Sequence, residues 1–379
     1  MALPLEGVRI LDSAYMYPGP YCSMLLADLG ADVLKVERPG FGDPGRQDPF
    51  FFQSVNRNKK SLALNLKAQS GKEILHRLVE NYDVFMEGFR PGVAARIGID
   101  YDTLRKINPR IVYCSISGFG QQGPYKDMPN HDVNLQALSG MLYCLNNAEG
   151  DPIAPRIAVG DLSSAMFATV GIMAALMARE KTGLGEYIDV SMLDGLISWM
   201  SGHLSRFFGT GRFDRSRDAG YAIFRAGDGK PFALGIAYED WFWDKLCSSI
   251  GLEEYMGIGT MERKERREEL VETLQSVFSG KPLETWMSIL SEADVPISPV
   301  NDLEQVTKDE HVRFREMFQE ISLQSGERGK MVSFPVKFSK TPTEIRMPPP
   351  ELGEHSEEVL LETGYTSDEI GKFKKDGVI

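Results

Sequence analysis

Two places in the chain set side chains suited to proton transfer or nucleophilic attack at the edge of a helical run. The first is "PNHDVNLQALSG" (129–140), where His131 and Asp132 stand together as a polar turn gives way to apolar residues. An imidazole with an unperturbed pKa of about 6.5 accepts and donates a proton near neutral pH. Asp132 beside it is expected to hold the ring or to cap the helix that follows. The second is "AVGDLSSAM", where Asp161 opens the longest helical pattern, residues 161–183. An aspartate there reads as a helix N-cap, kept ionised by the helix dipole and backbone N–H groups. Such a carboxylate can also act as a nucleophile or take a proton.

A third set is basic. Between residues 35 and 60, Lys35, Arg38, Arg46, Arg57, Lys59 and Lys60 face only Glu37, Asp43 and Asp48, a local balance of +3 in a chain of net charge −12. The pattern fits a pocket for a small polyanion or a solvated surface face, and charge alone leaves both open.

The elements that must position these residues alternate between strand-like and helix-like segments, as a parallel α/β sheet requires. "VRILD" (8–12), "ADVLKVE" (31–37), "DVFMEG" (83–88) and "RIVYCSIS" (110–117) read as strands. Segments 21–30, 70–82 and 101–108 read as the helices between them. "GFGQQG" (118–123) matches a dinucleotide-binding pattern, but Pro124 and Pro129 follow it, so it reads as a loop and not as the start of a helix. "EYIDVSMLDGLISWM" (186–200) gives a further strand and helix, and a hairpin turning at Asp228-Gly229 opens a stretch of different texture. From these changes a large domain is expected over 1–219, a smaller one over 220–330, and a segment 331–379 returning to the first. The Pro-rich stretch 346–360 is too poor in apolar residues for a core of its own and is expected to lie across another surface.

A chain of 379 residues suits two domains, and 42% hydrophobic with 25% charged residues is a globular balance. The net negative charge excludes non-specific nucleic-acid binding. No run of roughly 18 apolar residues and no leader-like N-terminus is seen, so no membrane partner and a cytoplasmic location are expected. Cys22, Cys114, Cys144 and Cys247 lie far apart in apolar settings, which predicts neither disulfides nor a metal site.

Four stretches, "ADLGADVLKVERPG" (27–40), "NRNKKSLALNLK" (56–67), the segment 87–125 and "AREKTGLGEYIDVSMLDG" (178–195), together resemble the family III CoA-transferases, a group that includes 2-methylacyl-CoA racemases. The resemblance implies an α/β fold: a Rossmann-like large domain with a parallel sheet, plus a smaller α+β domain. It further implies linkers between them and two protomers interlocked in a homodimer. Coenzyme A would enter as part of an acyl-CoA substrate, with no tightly bound cofactor and no metal. Arg38 in "VERPG" falls where the family meets the adenine and Arg90 in "GFRPG" where it meets the phosphates, with Lys59 or Lys60 adding charge for the 3′-phosphate. Asp161 matches the family's reaction-centre aspartate. His131 matches the second acid/base of the racemase branch, and Glu239, with Tyr238 and Asp240 as neighbouring alternatives, matches a glutamate of its small domain. Amides at the start of the Asp161 helix are expected to stabilise an enolate. The expectation from the His-Asp pair is a 2-methylacyl-CoA racemase; the alternative is a CoA-transferase with Asp161 as nucleophile.

Overall fold

Continuous apolar runs become buried parallel strands, because helices cover both faces of such a sheet. The computed structural model of the chain describes residues 2–145, 150–213, 217–322, 326 and 328–379. It divides into a larger unit, Met1–Ser205 with Arg315–Ile379, and a smaller one, Arg206–Phe314. In the larger unit the strands are β1 (Arg9–Ser13), β2 (Asp32–Glu37), β3 (Lys59–Ala63), β4 (Val84–Glu87), β5 (Val112–Ser117) and β6 (Tyr187–Ser191). They form one parallel sheet in the order β3-β2-β1-β4-β5-β6. The connections change direction between β1 and β4, and in such sheets ligands bind beyond the strand carboxyl ends at that point.

Helices α1 (Pro18–Asp28), α2 (Gln69–Val79), α3 (Tyr101–Ile107), α4 (Asp132–Leu138), α5 (Val159–Thr182) and α6 (Met192–Trp199) flank the sheet. Side chains alternate along each strand, so Met86 and Cys114 join the core under α1, α5 and α6 while Phe85 and Tyr113 join the core under α2 and α3. Strands β1, β2, β4, β5 and β6 and the helices between them fall where the sequence pattern places them. Strand β3 was not anticipated there, because it opens with two lysines.

The Pro-rich stretch, expected to lie across another surface, runs along β3. The side-chain oxygen of Asn58 accepts from the backbone of Arg346 and Met347, the Asn58 N–H donates to Met347, and the His355 N–H donates to Ser61. The helices Ser356–Glu362 and Ser367–Lys375 then pack Val359, Leu360 and Ile370 into the core on the α2 side.

The smaller unit is α+β. Its sheet joins β7 (Tyr221–Arg225), β8 (Pro231–Gly235) and β9 (Ile297–Pro299) antiparallel, in that order. Phe224, Phe232, Phe278 and Trp286 stack in its core, with Phe232 and Phe278 edge to face at 4.9 Å. Its bounds fall earlier than the expected 219 and 330. The texture change at Gly220 marks its first hairpin and not the crossing of the chain, and the hairpin of Phe318–Ser322 with Arg328–Val332 belongs to the larger unit.

Candidate functional site

The start of α5 is built by a residue from another element. Asp161 is not its N-cap, as the sequence had implied; Ala158 holds that place and Asp161 lies in the first turn. The capping carboxylate comes from Asp132 on α4. Its Oδ1 accepts from the backbone N–H of Gly160 at 2.6 Å and of Asp161 at 3.3 Å, and its Oδ2 accepts from the side-chain amide of Gln136. Gly160 permits that approach, because a Cβ there would stand 2.8 Å from Asp132 Oδ1. Gly118 does the same for Asn130, whose side chain a Cβ there would meet at 2.2 Å. The "GFGQQG" loop thus seats the turn that carries His131 and Asp132.

Three expectations change here. Asp132 does not hold the His131 ring, since both its oxygens are engaged elsewhere. The amides of Gly160 and Asp161 donate to Asp132, while those of Val159 and Leu162 donate to Ile157 and Ala158, so the helix start has none left for an oxyanion. Asp161 is not held ionised either. Burial first, and the Asp132 charge second, push its carboxyl up to about 7. Among the described residues that carboxyl has no hydrogen-bond partner. Its neighbours include the Tyr17 phenol, whose own pKa is raised by burial, by Tyr21 and by the Asp161 charge. His131 is exposed at the N-cap of α4, its backbone N–H donating to Asn134 Oδ1 at 3.0 Å.

Two adjoining cavities lie along the carboxyl ends of β1, β2 and β4. One, of about 280 Å³, is lined by Met16, Gly19, Phe89, Arg90, Lys126 and Asn130, among others. Met16 and Pro18 in its wall flank Tyr17, which sets its inner end beside the start of α5. The other, of about 270 Å³, is lined by Arg38, Phe41, Leu64 and Lys67. Tyr15 and Phe89 line both, with their rings edge to face at 6.5 Å, so the two form one trough. Arg38 sits 5.8 Å over the Phe41 ring. Neither Arg38 nor Arg90 has an ion-pair partner among the described residues, so both guanidinium groups are free to stack on a base or fork onto phosphate. At the two ends, Lys67 and Lys126 add cations without an ion-pair partner among the described residues, and were not singled out from the sequence. Lys67 lay inside the matched stretch "NRNKKSLALNLK", which could have flagged it.

The other expected cations are placed differently. Lys59 is fully buried and spent on Asp12 at 3.4 Å, Pro20 O at 2.9 Å and Asn56 Oδ1 at 2.9 Å, so it cannot reach a phosphate. Burial also lowers its pKa to about 8. Lys60 pairs with Glu358 at 2.7 Å. Its register opposite Leu34 sets it four residues, roughly 13 Å, back from the strand end where Arg38 lies. Glu239, in the smaller unit, is the half-buried N-cap of the helix Asp240–Ile250, and its carboxylate accepts from the N–H groups of Ala237 and Tyr238, which lower its pKa. Asp240 beside it is spent on Arg263 at 2.6 Å. No group of acids, histidines and cysteines able to hold a metal occurs among the described residues.

Fold and site together define an α/β protein with a trough carrying the cations of Arg38, Lys67, Arg90 and Lys126, and with the Asp161 carboxyl beside Tyr17 near one end of it. The sequence profile described as CoA-transferase family III matches residues 5–356, and the chain belongs to that family. It is 33% identical to a mouse succinyl-CoA:glutarate CoA-transferase over 99% of this chain and 90% of that one. It is 32% identical to the beta subunit of a Chloroflexus aurantiacus succinyl-CoA–L-malate CoA-transferase, over 100% and 98%. A CAIB/BAIF family protein from Brucella suis superposes with a TM-score of 0.85 at 27% identity, over 96% of this chain and 100% of that one. The racemase expectation gains no support from these relatives, and the transferase alternative fits them better.

Proposed function

We propose that the protein transfers coenzyme A from an acyl-CoA such as succinyl-CoA to a small carboxylic acid, with Asp161 as the nucleophile. The observation that carries this is the division of labour at the start of α5. Asp132 satisfies the helix amides, which leaves the Asp161 carboxyl unpartnered and poorly solvated, and a carboxylate in that state is a stronger nucleophile. Ionised Asp161 attacks the thioester carbonyl, the CoA thiolate leaves, and an aspartyl–acyl anhydride forms. The thiolate returns to the aspartyl carbonyl, releasing the donor acid and leaving an Asp161–CoA thioester. The acceptor carboxylate attacks that thioester, and the same two exchanges in reverse order yield the new acyl-CoA and free Asp161. Arg38 and Lys67 hold the adenine end in this reading, with Arg90 and Lys126 nearer the reaction centre.

The enzyme works as a homodimer. Met166, Val170, Met173 and Met177 repeat at helical spacing along α5 and leave an exposed apolar stripe on a helix otherwise packed in the core. By length and composition this helix could also cross a membrane, but half of its apolar window is buried inside the protein, as in a core helix. The buried free thiols of Cys22, Cys114 and Cys247 suit the reducing cytoplasm.

The test is incubation with succinyl-CoA and a panel of dicarboxylic acids, followed by mass spectrometry of the protein after hydroxylamine or borohydride treatment. Acceptor-dependent turnover and modification at Asp161 are expected. Deuterium entering the α-position of a 2-methylacyl-CoA from D2O without any acceptor would instead return the vote to racemisation through His131.

A further inference from the structure

On the face of the sheet opposite α5, the carboxyl end of β4, the middle of β5 and the first residue of β6 border a cavity of about 320 Å³ that shares no lining residue with those assigned to the transfer reaction. Glu87, Tyr113 and Ser115 point to this side, since Met86 and Cys114 between them belong to the core under α5. Three tyrosines make an aromatic wall. Tyr101 and Tyr113 have ring centroids 6.0 Å apart, Tyr101 and Tyr187 5.5 Å, and Tyr113 and Tyr187 5.7 Å. Glu87, Asp100 and Asp102 supply carboxyls, and no lysine or arginine lines the space. Asp102 is offset by Arg105 at 2.9 Å, and Asp100 caps α3 through Thr103, whereas Glu87 has only neutral partners: the Phe89 N–H at 2.7 Å and the Ser115 hydroxyl.

The wall also holds polar atoms with nothing to bond. Tyr113 is 1% exposed and its hydroxyl has no hydrogen-bond partner among the described residues, and the side-chain nitrogen of Gln121 in the same lining is likewise buried and unpartnered among them. Buried polar groups are rarely left so, and an empty bond in a cavity wall points to something that fills it. Tyrosine faces attract a cation, a carboxyl with neutral partners needs one, and an amide N–H needs an oxygen.

We propose that this cavity binds a small primary ammonium ion that also carries an oxygen, an amino-alcohol type of ligand, with the ammonium on Glu87 and the tyrosine rings and the oxygen on Gln121 and the Tyr113 hydroxyl. Burial pushes the Glu87 carboxyl up to about 7, and a bound cation would restore its charge. A free amino acid fits less well, because its carboxylate would face Glu87 and Asp100.

The proposal is tested by titrating the full-length protein with 4-aminobutan-1-ol and with ethanolamine, using butane-1,4-diol as the neutral counterpart, by calorimetry or ligand-observed NMR. Saturable binding of the amines and none of the diol is expected, unchanged by Asp161→Asn, which separates this site from the transfer reaction. Glu87→Gln is expected to weaken amine binding at least tenfold and Tyr113→Phe severalfold. If Glu87→Gln does not fold, Tyr113→Phe and Tyr187→Phe give the same reading. Equal binding of amine and diol, no saturation up to tens of millimolar, or amine affinity untouched in folded variants would overturn the proposal.

Discussion

Between residues 35 and 60, five of six basic side chains are ion-paired inside the larger unit, whereas at the start of α5 a half-buried carboxyl stands without a hydrogen bond among the described residues. Lys35 pairs with Asp43, Arg46 with Glu37, Arg57 with Asp28, Lys59 with Asp12 and Lys60 with Glu358. Only Arg38 of that group is left open to a ligand. The same run of charge that suggests a polyanion pocket is mostly internal structure. Taking charges out of water is tolerable when each finds a partner, and a charge left alone must be justified by something other than stability. The residues assigned to the proposed reaction are those where pairing stops: Arg38, Arg90 and Asp161.

The contrast is broken most severely at Asp161. Asp161→Asn is expected to lower kcat by a factor on the order of 10³ or more while raising stability, measured by turnover and urea unfolding on the same samples. The sign follows from the raised folded-state pKa. The folded protein holds the proton through the window from about pH 4 to about pH 7 while the unfolded chain has lost it, so stability falls with rising pH across that window. The substitution removes this loss, by on the order of 2–4 kcal/mol at pH 8 and by almost nothing at pH 4. Transfer activity of the native enzyme runs the other way, with kcat/KM rising through about pH 7 as Asp161 ionises.

Breaking the paired region has the opposite character. Asp12→Ala leaves Lys35 and Lys59 buried with less compensation, and a loss of about 3–5 kcal/mol in urea unfolding is expected, with KM for acyl-CoA little changed in the protein that remains folded. Arg38→Ala and Arg90→Ala are milder: each raises that KM by roughly tenfold, worth about 1.4 kcal/mol, without altering the unfolding midpoint. Lys60→Met, removed from the trough, leaves it within about threefold. The smallest effect falls on His131→Ala, which changes CoA transfer by less than about threefold. A loss of a hundredfold there would contradict the role assigned to Asp161 alone.

How much of this was legible in the sequence depended on how local the cause was. Apolar runs and helix periods are local, and they located β1, β2, β4, β5 and β6 and their helices. Strand β3 escaped because Lys59 and Lys60 disguise it, and nothing near them in sequence announces that Asp12 and Glu358 will neutralise them. An aspartate opening a helical run signals a cap, yet the capping group for α5 comes from Asp132, on another helix. Adjacency made Asp132 look like a partner for His131, whereas the fold uses it on Gly160. Arg38 and Arg90 were found through family motifs; their lack of partners is visible only in three dimensions.

The strap of residues 344–356 along β3 bears on how the chain is made. A ribosome delivers all six strands of the large sheet well before it delivers that strap, because the whole smaller unit is translated in between. At about 5–20 residues per second the wait is on the order of 10 s, during which the outer edge of β3 offers open backbone groups to any neighbouring strand. The nascent protein is therefore most exposed to mispairing in the middle of its synthesis. A chaperone that shields the emerging β3 edge would raise the yield more than one that acts after release.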